Sequence, residues 1–250
     1  METNLPLAKA FEIRPERFRL LEKGMPYTAW EPGMKILEAG CSVGDASAYL
    51  ASEKELDVTA FDISGELISR AVEKHGGGEG KKLRYLCADA AELPFEDESF
   101  DGLFSESAFS PMPKKNEALR EYGRVLKPGG RLLIHDFVIR NSGEELLREE
   151  VVHIPCFAGV QTKECYEDML QKAGFRRIRY QEEYGELIRI TLWLCKVYKV
   201  GIGEIGGYLS RYFHSGESGC KGCDETAQKT DTFFRRAELS YCQMVYEKCR

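Results

Sequence analysis

From residue 35 onward, short apolar runs alternate with stretches whose apolar residues recur every three or four positions. Few architectures accept that rhythm. Residues 35–39, 57–61, 83–87, 100–105, 131–137 and 175–180 read as six strands. Between them lie helical faces: Val43, Ala46 and Leu50; then Leu67, Ile68, Ala71 and Val72 behind Ser64 as N-cap. Ala118, Tyr122 and Val125 mark another helix, which Lys127-Pro128-Gly129-Gly130 breaks. Thr162 precedes a helix with Tyr166, Met169, Leu170 and Ala173 on one face, and Gly174 suits its left-handed end. Strands alternating with helices imply a parallel sheet covered on both faces, because each parallel connection must cross over the sheet.

Beyond residue 180 the pattern changes. Leu187, Ile188, Thr191, Leu192, Cys195 and Tyr198 keep helical spacing, and a hinge with Gly201, Gly203, Gly206 and Gly207 leads to a second short helix. A polar loop over 214–224 carries Cys220 and Cys223, a further helical stretch surrounds Phe233 and Phe234, and residues 239–246 read as a closing strand. The expected fold is α/β: a Rossmann-like, doubly wound sheet of seven strands, six parallel and the last antiparallel, with a helical insertion before the last strand. Four regions are expected: 1–34 as an N-terminal helical lid, 35–182 as the ligand-binding domain, 183–238 as a helical cap with the C-x-x-C loop, and 239–250 as the last strand. Phe11, Arg14, Phe18, Tyr27 and Trp30 in the first region suit a lid or an amphipathic helix packed on the sheet equally well.

Composition narrows the partners. There are 35 Lys and Arg against 41 Asp and Glu, a formal charge of −6, and the paired basic residues are scattered. No basic stripe is available for phosphates, so no nucleic-acid partner is expected. The most apolar run, 190–195, stops at Lys196, well short of a membrane span. Met1-Glu2-Thr3-Asn4 does not resemble a secretion signal, and nine cysteines, an odd number, then suggest free thiols, metal ligands or reactive cysteines rather than a disulfide framework, in a cytoplasmic protein.

Four features carry the chemistry. Leu37-Glu38-Ala39-Gly40-Cys41-Ser42-Val43-Gly44 joins the first strand to the first helix, where glycines admit a ligand to the backbone and the helix start favours an anionic group. Ser42 and Asp45 replace the second and third glycines of a dinucleotide loop, and an acid there repels a pyrophosphate. Asp62 ends the second strand, 22 residues after Gly40, where an acid accepts from ribose hydroxyls. Asp89-Ala90 follows the third strand, where a carboxylate can accept from an adenine amino group. The fourth strand ends in Ser105-Glu106. Each feature alone is weak; together they line the carboxyl ends of successive strands, where open α/β sheets bind ligands.

With these motifs the chain resembles the class I S-adenosylmethionine-dependent methyltransferases of the type 11 kind. The resemblance rests on residues 36–44, Ala60-Phe61-Asp62-Ile63-Ser64, Ala88-Asp89-Ala90-Ala91-Glu92-Leu93-Pro94-Phe95, Ser99-Phe100-Asp101 and residues 119–130, and it covers roughly 33–182. It implies S-adenosylmethionine as cofactor, with S-adenosylhomocysteine as product. Glu38, Gly40, Cys41, Ser42 and Gly44 would surround the methionine end, Asp62 and Ile63 the ribose, and Asp89 and Ala90 the adenine, with Ser105 and Glu106 completing the site. The family usually has glycine at the position of Ser42 and often Asp at that of Glu38, so a somewhat altered cofactor loop is expected.

The acceptor is less legible. Methyl transfer from a sulfonium needs proximity, alignment and exclusion of water more than acid–base help, so positional catalysis on a small molecule is the primary expectation. Cys156-Phe157-Ala158-Gly159 is similar to a cysteine segment in arsenite methyltransferases, which makes trivalent arsenic, or a thiol, an alternative acceptor held by Cys156 and the C-terminal cysteines. Cys156 serves equally well as a small buried hydrophobe. His153, Cys156, Cys220 and Cys223 are the substrate candidates, and His135 and Cys156 the catalytic ones. His135 is a base or a hydrogen-bonded strand residue. Cys220 and Cys223 with Cys242 and Cys249 have a spacing unusual for structural zinc, and no metal is expected. A non-catalytic S-adenosylmethionine-binding module and a methyltransferase acting on protein or RNA remain alternatives.

Overall fold

The computed structural model describes residues 5, 7–78, 80–140, 151, 154, 157–214, 222–236 and 238–249. Helices α1 (Leu7–Glu12) and α2 (Arg19–Gly24) precede the sheet; α2 runs into a 3-10 turn, Met25–Tyr27. There follow β1 (Lys35–Ala39), α3 (Asp45–Glu53), β2 (Asp57–Asp62), α4 (Gly65–His75), β3 (Leu83–Cys87), β4 (Phe100–Glu106), α5 (Lys115–Val125) and β5 (Leu126–Ile139). The chain continues through β6 (Gln161–Thr162), α6 (Lys163–Lys172), β7 (Phe175–Glu182), α7 (Tyr184–Tyr198), α8 (Ile205–His214), α9 (Gly222–Arg236) and β8 (Leu239–Lys248).

The strand order is β3-β2-β1-β4-β5-β8-β7, mostly parallel with one antiparallel end. This is the expected doubly wound sheet. Its direction of winding reverses between β1 and β4, which pair in parallel with Ala39 opposite Ser105. The local signals act as read: the Ser64 hydroxyl accepts from the Leu67 N–H at 3.3 Å to start α4, and Gly174 takes a φ of +86° after α6.

Two readings need correction. An eighth strand exists, the two-residue β6, which pairs with the end of β5; Thr162 lies in it, immediately before α6. Lys127-Pro128-Gly129-Gly130 does not separate helix from strand. Leu126 already pairs with Phe100, and the register then jumps so that Gly102 faces Arg131. The four residues form a bulge inside one long strand, with Gly129 at φ +80°.

The residues group into two compact units. One holds 18–136, 164–181 and 243–250; the other holds 1–17, 137–163 and 182–242. A unit boundary falls at 17/18, and α2 packs with the sheet core: Leu21 is buried with Ile36, Leu50, Leu56, Val58, Phe104, Leu133 and Val245. Gly102 is obligatory beneath this layer, since a β-carbon there would overlap the Trp30 indole. Within the other unit, the Trp193 indole N–H donates to the Ala10 carbonyl at 2.7 Å, the Tyr198 hydroxyl to the Leu5 carbonyl at 2.9 Å, and Arg14 pairs with Glu186 at 2.8 Å. These bonds tie the first segment to α7. Cys242 is fully buried in β8. No helix among the described residues is long and apolar enough to cross a membrane.

Candidate active site

The loop after β1 is a backbone cradle. The Gly40 and Cys41 N–H groups both donate to the Phe61 carbonyl, at 2.8 and 3.0 Å, which bends the chain off the end of β1. Gly40 has a φ of +71°, and a β-carbon there would overlap that of Ala108. Gly44 has a φ of +77°, and a β-carbon there would lie 2.5 Å from the Tyr85 hydroxyl, which itself donates to the Gly44 carbonyl at 2.9 Å. Ser42 also sits in the left-handed region, at φ +51°. The serine fits, at a backbone cost of about 1–2 kcal/mol, which explains in physical terms why glycine is the usual residue there. Cys41 is buried, and burial pushes its thiol well above the ordinary range, with the Glu38 and Asp62 carboxylates adding to the effect. It is a wall of the cradle and stays protonated.

Acids converge around this loop. Glu38, on β1, is 4% exposed and accepts a short hydrogen bond from the Ser47 hydroxyl of α3. Burial is the main cause that pushes its pKa up to about 8; the Ser47 bond opposes the shift, while Glu106, Asp45 and Asp62 reinforce it. Asp62 braces the loop: its two carboxylate oxygens accept from the Ser42 N–H at 3.0 Å and the Ser64 N–H at 2.9 Å. Asp45, at the start of α3, is paired with Lys74 and His75 of α4, each at 2.8 Å. Beside Asp62, Ile63 is 73% exposed, an apolar side chain at the rim.

The segment after β3 is held from α5. Asp89 is exposed, caps its own turn by accepting from the Ala91 N–H at 2.9 Å, and precedes the buried Ala90. Arg124 donates to the Leu93 and Phe95 carbonyls at 3.0 and 2.6 Å, while Glu121 accepts from the Leu93 N–H at 2.9 Å. The motif over 119–130 thus acts by fixing the loop that presents Asp89. At the end of β4, Ser105 is fully buried and its hydroxyl has no hydrogen-bond partner among the described residues; Glu106 is partly exposed.

The structure therefore brings together Glu38, Gly40, Cys41, Ser42, Gly44, Asp62, Ile63, Asp89, Ala90, Ser105 and Glu106 on the carboxyl ends of β1 to β4. His135, next in line on β5, is 0% exposed, which supports the strand-residue alternative over a base open to an acceptor. His153, Cys156 and Cys220 lie outside the described residues, and Cys223 is described only as part of the α9 backbone. Sequence reasoning missed Ser47, Tyr85 and Asp136. Asp136 is buried and accepts from the Phe109 and Ser110 N–H groups at 3.0 and 2.7 Å, anchoring the loop after β4. The only sequence signal for it was a charged residue inside an apolar strand.

The residues fit S-adenosylmethionine. Two left-handed glycines leave space that β-carbons would fill, Asp62 keeps lone pairs on both oxygens, and the buried Ser105 hydroxyl lacks a partner. The acidic set suits a cationic sulfonium and ammonium better than a pyrophosphate.

Comparison with known proteins agrees. Residues 37–134 match the methyltransferase domain family. A "Methyltransferase GfsG" from Streptomyces halstedii is 31% identical over 173 residues, 68% of this chain and 60% of that protein. An uncharacterized protein of Haemophilus influenzae is 30% identical over 179 residues, 67% of this chain and 71% of the relative. In fold, the chain is similar to Haemonchus contortus phosphoethanolamine N-methyltransferase 2, solved in complex with S-adenosyl-L-methionine. The TM-score is 0.73 at 20% identity, and the match covers 97% of this chain and 56% of that one. The chain thus spans little more than half of some of the proteins it matches. On the strength of the cradle, the acids around it and these likenesses, the chain belongs to the class I S-adenosylmethionine-dependent methyltransferases and is an enzyme with that cofactor.

Proposed function

We propose that the chain transfers a methyl group to a small-molecule acceptor, and that it does so mainly by alignment. The carrying observation is the cradle at the reversal point of the sheet, walled by Gly40 and Gly44 and faced by Glu38, Ser105 and Glu106. When bound, S-adenosylmethionine supplies an electrophilic methyl on a cationic sulfur. Glu38 and Glu106 would hold the methionine end, Ser47 keeping Glu38 in orientation. Asp62 would accept from the ribose hydroxyls while its backbone bonds keep the loop closed. Ile63 would cover the nucleoside face, and Asp89, held by the Arg124 and Glu121 bonds, would meet the adenine amino group. Placing donor and acceptor in line needs rigidity more than proton transfer. A negative overall charge favours a small acceptor over RNA.

The test is methyl transfer from labelled S-adenosylmethionine to a panel of phenols, amines, thiols and trivalent arsenic with excess thiol, beside calorimetric titration of S-adenosylhomocysteine. Turnover with a phenol, an amine or another small organic acceptor supports the reading. Turnover with arsenic alone moves the acceptor to the cysteines. Binding without turnover on any acceptor leaves a cofactor-binding module and refutes the proposal.

A further inference from the structure

A line of polar side chains crosses the sheet from Glu106 at the carboxyl end of β4, through the buried His135 of β5, to the buried Gln243 in the middle of β8, and alignment alone makes no use of it. The register sets Glu106 directly opposite His135. The His135 ring is 0% exposed and meets Phe104 edge-on, with centroids 5.4 Å apart. Its Nε2 lies 3.3 Å from the Gln243 amide nitrogen on β8, and that nitrogen also lies 3.1 Å from the Leu20 carbonyl oxygen of α2.

These contacts assign the tautomer. A carbonyl oxygen only accepts, so the amide nitrogen, not its oxygen, must face Leu20. One amide N–H then goes to Leu20 and the other to His135, whose Nε2 must accept. The neutral ring therefore carries its proton on Nδ1. That Nδ1 is buried, has no hydrogen-bond partner among the described residues, and stands 3.8 Å from Glu106 Oε1. The gap is too long for a hydrogen bond, so the bond inferred below requires the Glu106 side chain to turn toward the ring. The Glu106 carboxylate in turn acts on Glu38, at the methionine end of the cradle.

We propose that His135 is a positioning residue for the methyl-transfer site: the Gln243 amide fixes its tautomer, and its Nδ1–H holds the Glu106 carboxylate toward the cofactor. The inference rests on the placement of Glu106 at the cofactor given under Proposed function. It replaces the reading of His135 as a base. With Nδ1 protonated, Nε2 occupied and the ring fully buried, no lone pair is offered to an acceptor. The other ionisable groups acting on this space are Glu38 of β1, Asp45 of α3, Asp62 of β2 and the Cys41 thiol. The variants below leave all of them in place.

The experiment is calorimetric titration of S-adenosylhomocysteine at one fixed neutral pH, for the wild type, His135→Phe, Glu106→Ala and the double variant. His135→Phe should weaken binding about tenfold near neutral pH, the worth of one hydrogen bond to a charged group. In the Glu106→Ala background, where the acceptor is gone, the same substitution should change nothing further. An equal loss in the Glu106→Ala background, or no loss, overturns the inference while leaving cofactor binding intact. A wild type that binds no S-adenosylhomocysteine overturns the cofactor reading, and this inference with it. Should His135→Phe not fold, Gln243→Leu decides: it unlocks the tautomer without touching the Phe104 contact. It should weaken binding by less than tenfold, and only while Glu106 is present; unchanged affinity, or an equal loss in the Glu106→Ala background, overturns the inference.

Discussion

Glu38→Gln should make the ligand-free protein less sensitive to rising pH. The glutamine keeps the shape, and its amide oxygen can still accept from the Ser47 hydroxyl. What disappears is a buried carboxyl whose folded pKa is pushed from 4.5 to about 8, by burial first and by Glu106, Asp45 and Asp62 besides. Between those two values the folded state holds a proton that the unfolded state releases, so wild-type stability falls as pH rises. Each pH unit in that window costs about 1.4 kcal/mol. From about pH 5.5 to about pH 7.5 the wild type should therefore lose about 3 kcal/mol that the variant keeps. The assay is urea unfolding at a series of pH values on both proteins without ligand, comparing midpoints at unchanged m-value. A stability difference that stays flat between pH 5 and pH 8 would refute the reasoning. The same group has a binding signature. A ligand ammonium against Glu38 would ionise it, so S-adenosylhomocysteine binding near pH 7 should release about one proton. Titrations in buffers of different ionisation enthalpy measure that release directly, and identical heats would sink it.

Three further outcomes are expected. Ser42→Gly should raise stability by about 1 kcal/mol, since the φ of +51° is strained for serine and free for glycine; an unchanged or lowered melting midpoint would contradict the strain. Asp62→Ala should weaken S-adenosylhomocysteine binding by about 1–3 kcal/mol and also lower stability, because it takes both the ribose acceptor and the partners of the Ser42 and Ser64 N–H groups. Unchanged affinity by calorimetry would remove the ribose assignment. Arg124→Ala should cost about 1–2 kcal/mol and speed hydrogen exchange across residues 91–95, where it holds the Leu93 and Phe95 carbonyls; exchange as slow as in the wild type would show that the loop stands without it.

Much of the cofactor side was legible because it is local. Gly40 and Gly44 announce a turn that only glycine enters cheaply, Ser64 caps the helix that follows Asp62, and Gly174 ends α6. Each of these signals works within a few residues of itself. The bulge at Lys127-Pro128-Gly129-Gly130 was misread because Pro and Gly mark a break in regularity without saying whether a strand resumes on both sides. Only pairing with β4 decides that. The eighth strand, of two residues, carries no periodicity to detect.

The sequence by itself determined the alternation of strands and helices, and with it a parallel sheet whose strand ends bear Glu38, Asp62, Asp89 and Glu106. Hydrophobic period and turn chemistry are properties of neighbouring residues, and they are written in order along the chain. Only the tertiary structure decided what those residues do to one another. It buried Glu38 against Ser47, paired Asp45 with Lys74 and His75, set Tyr85 over Gly44, and ran a line from Glu106 through His135 to Gln243. His135 and Gln243 are 108 positions apart. Burial, shared protons and tautomers depend on which distant groups the packing excludes from water, and no local pattern records that.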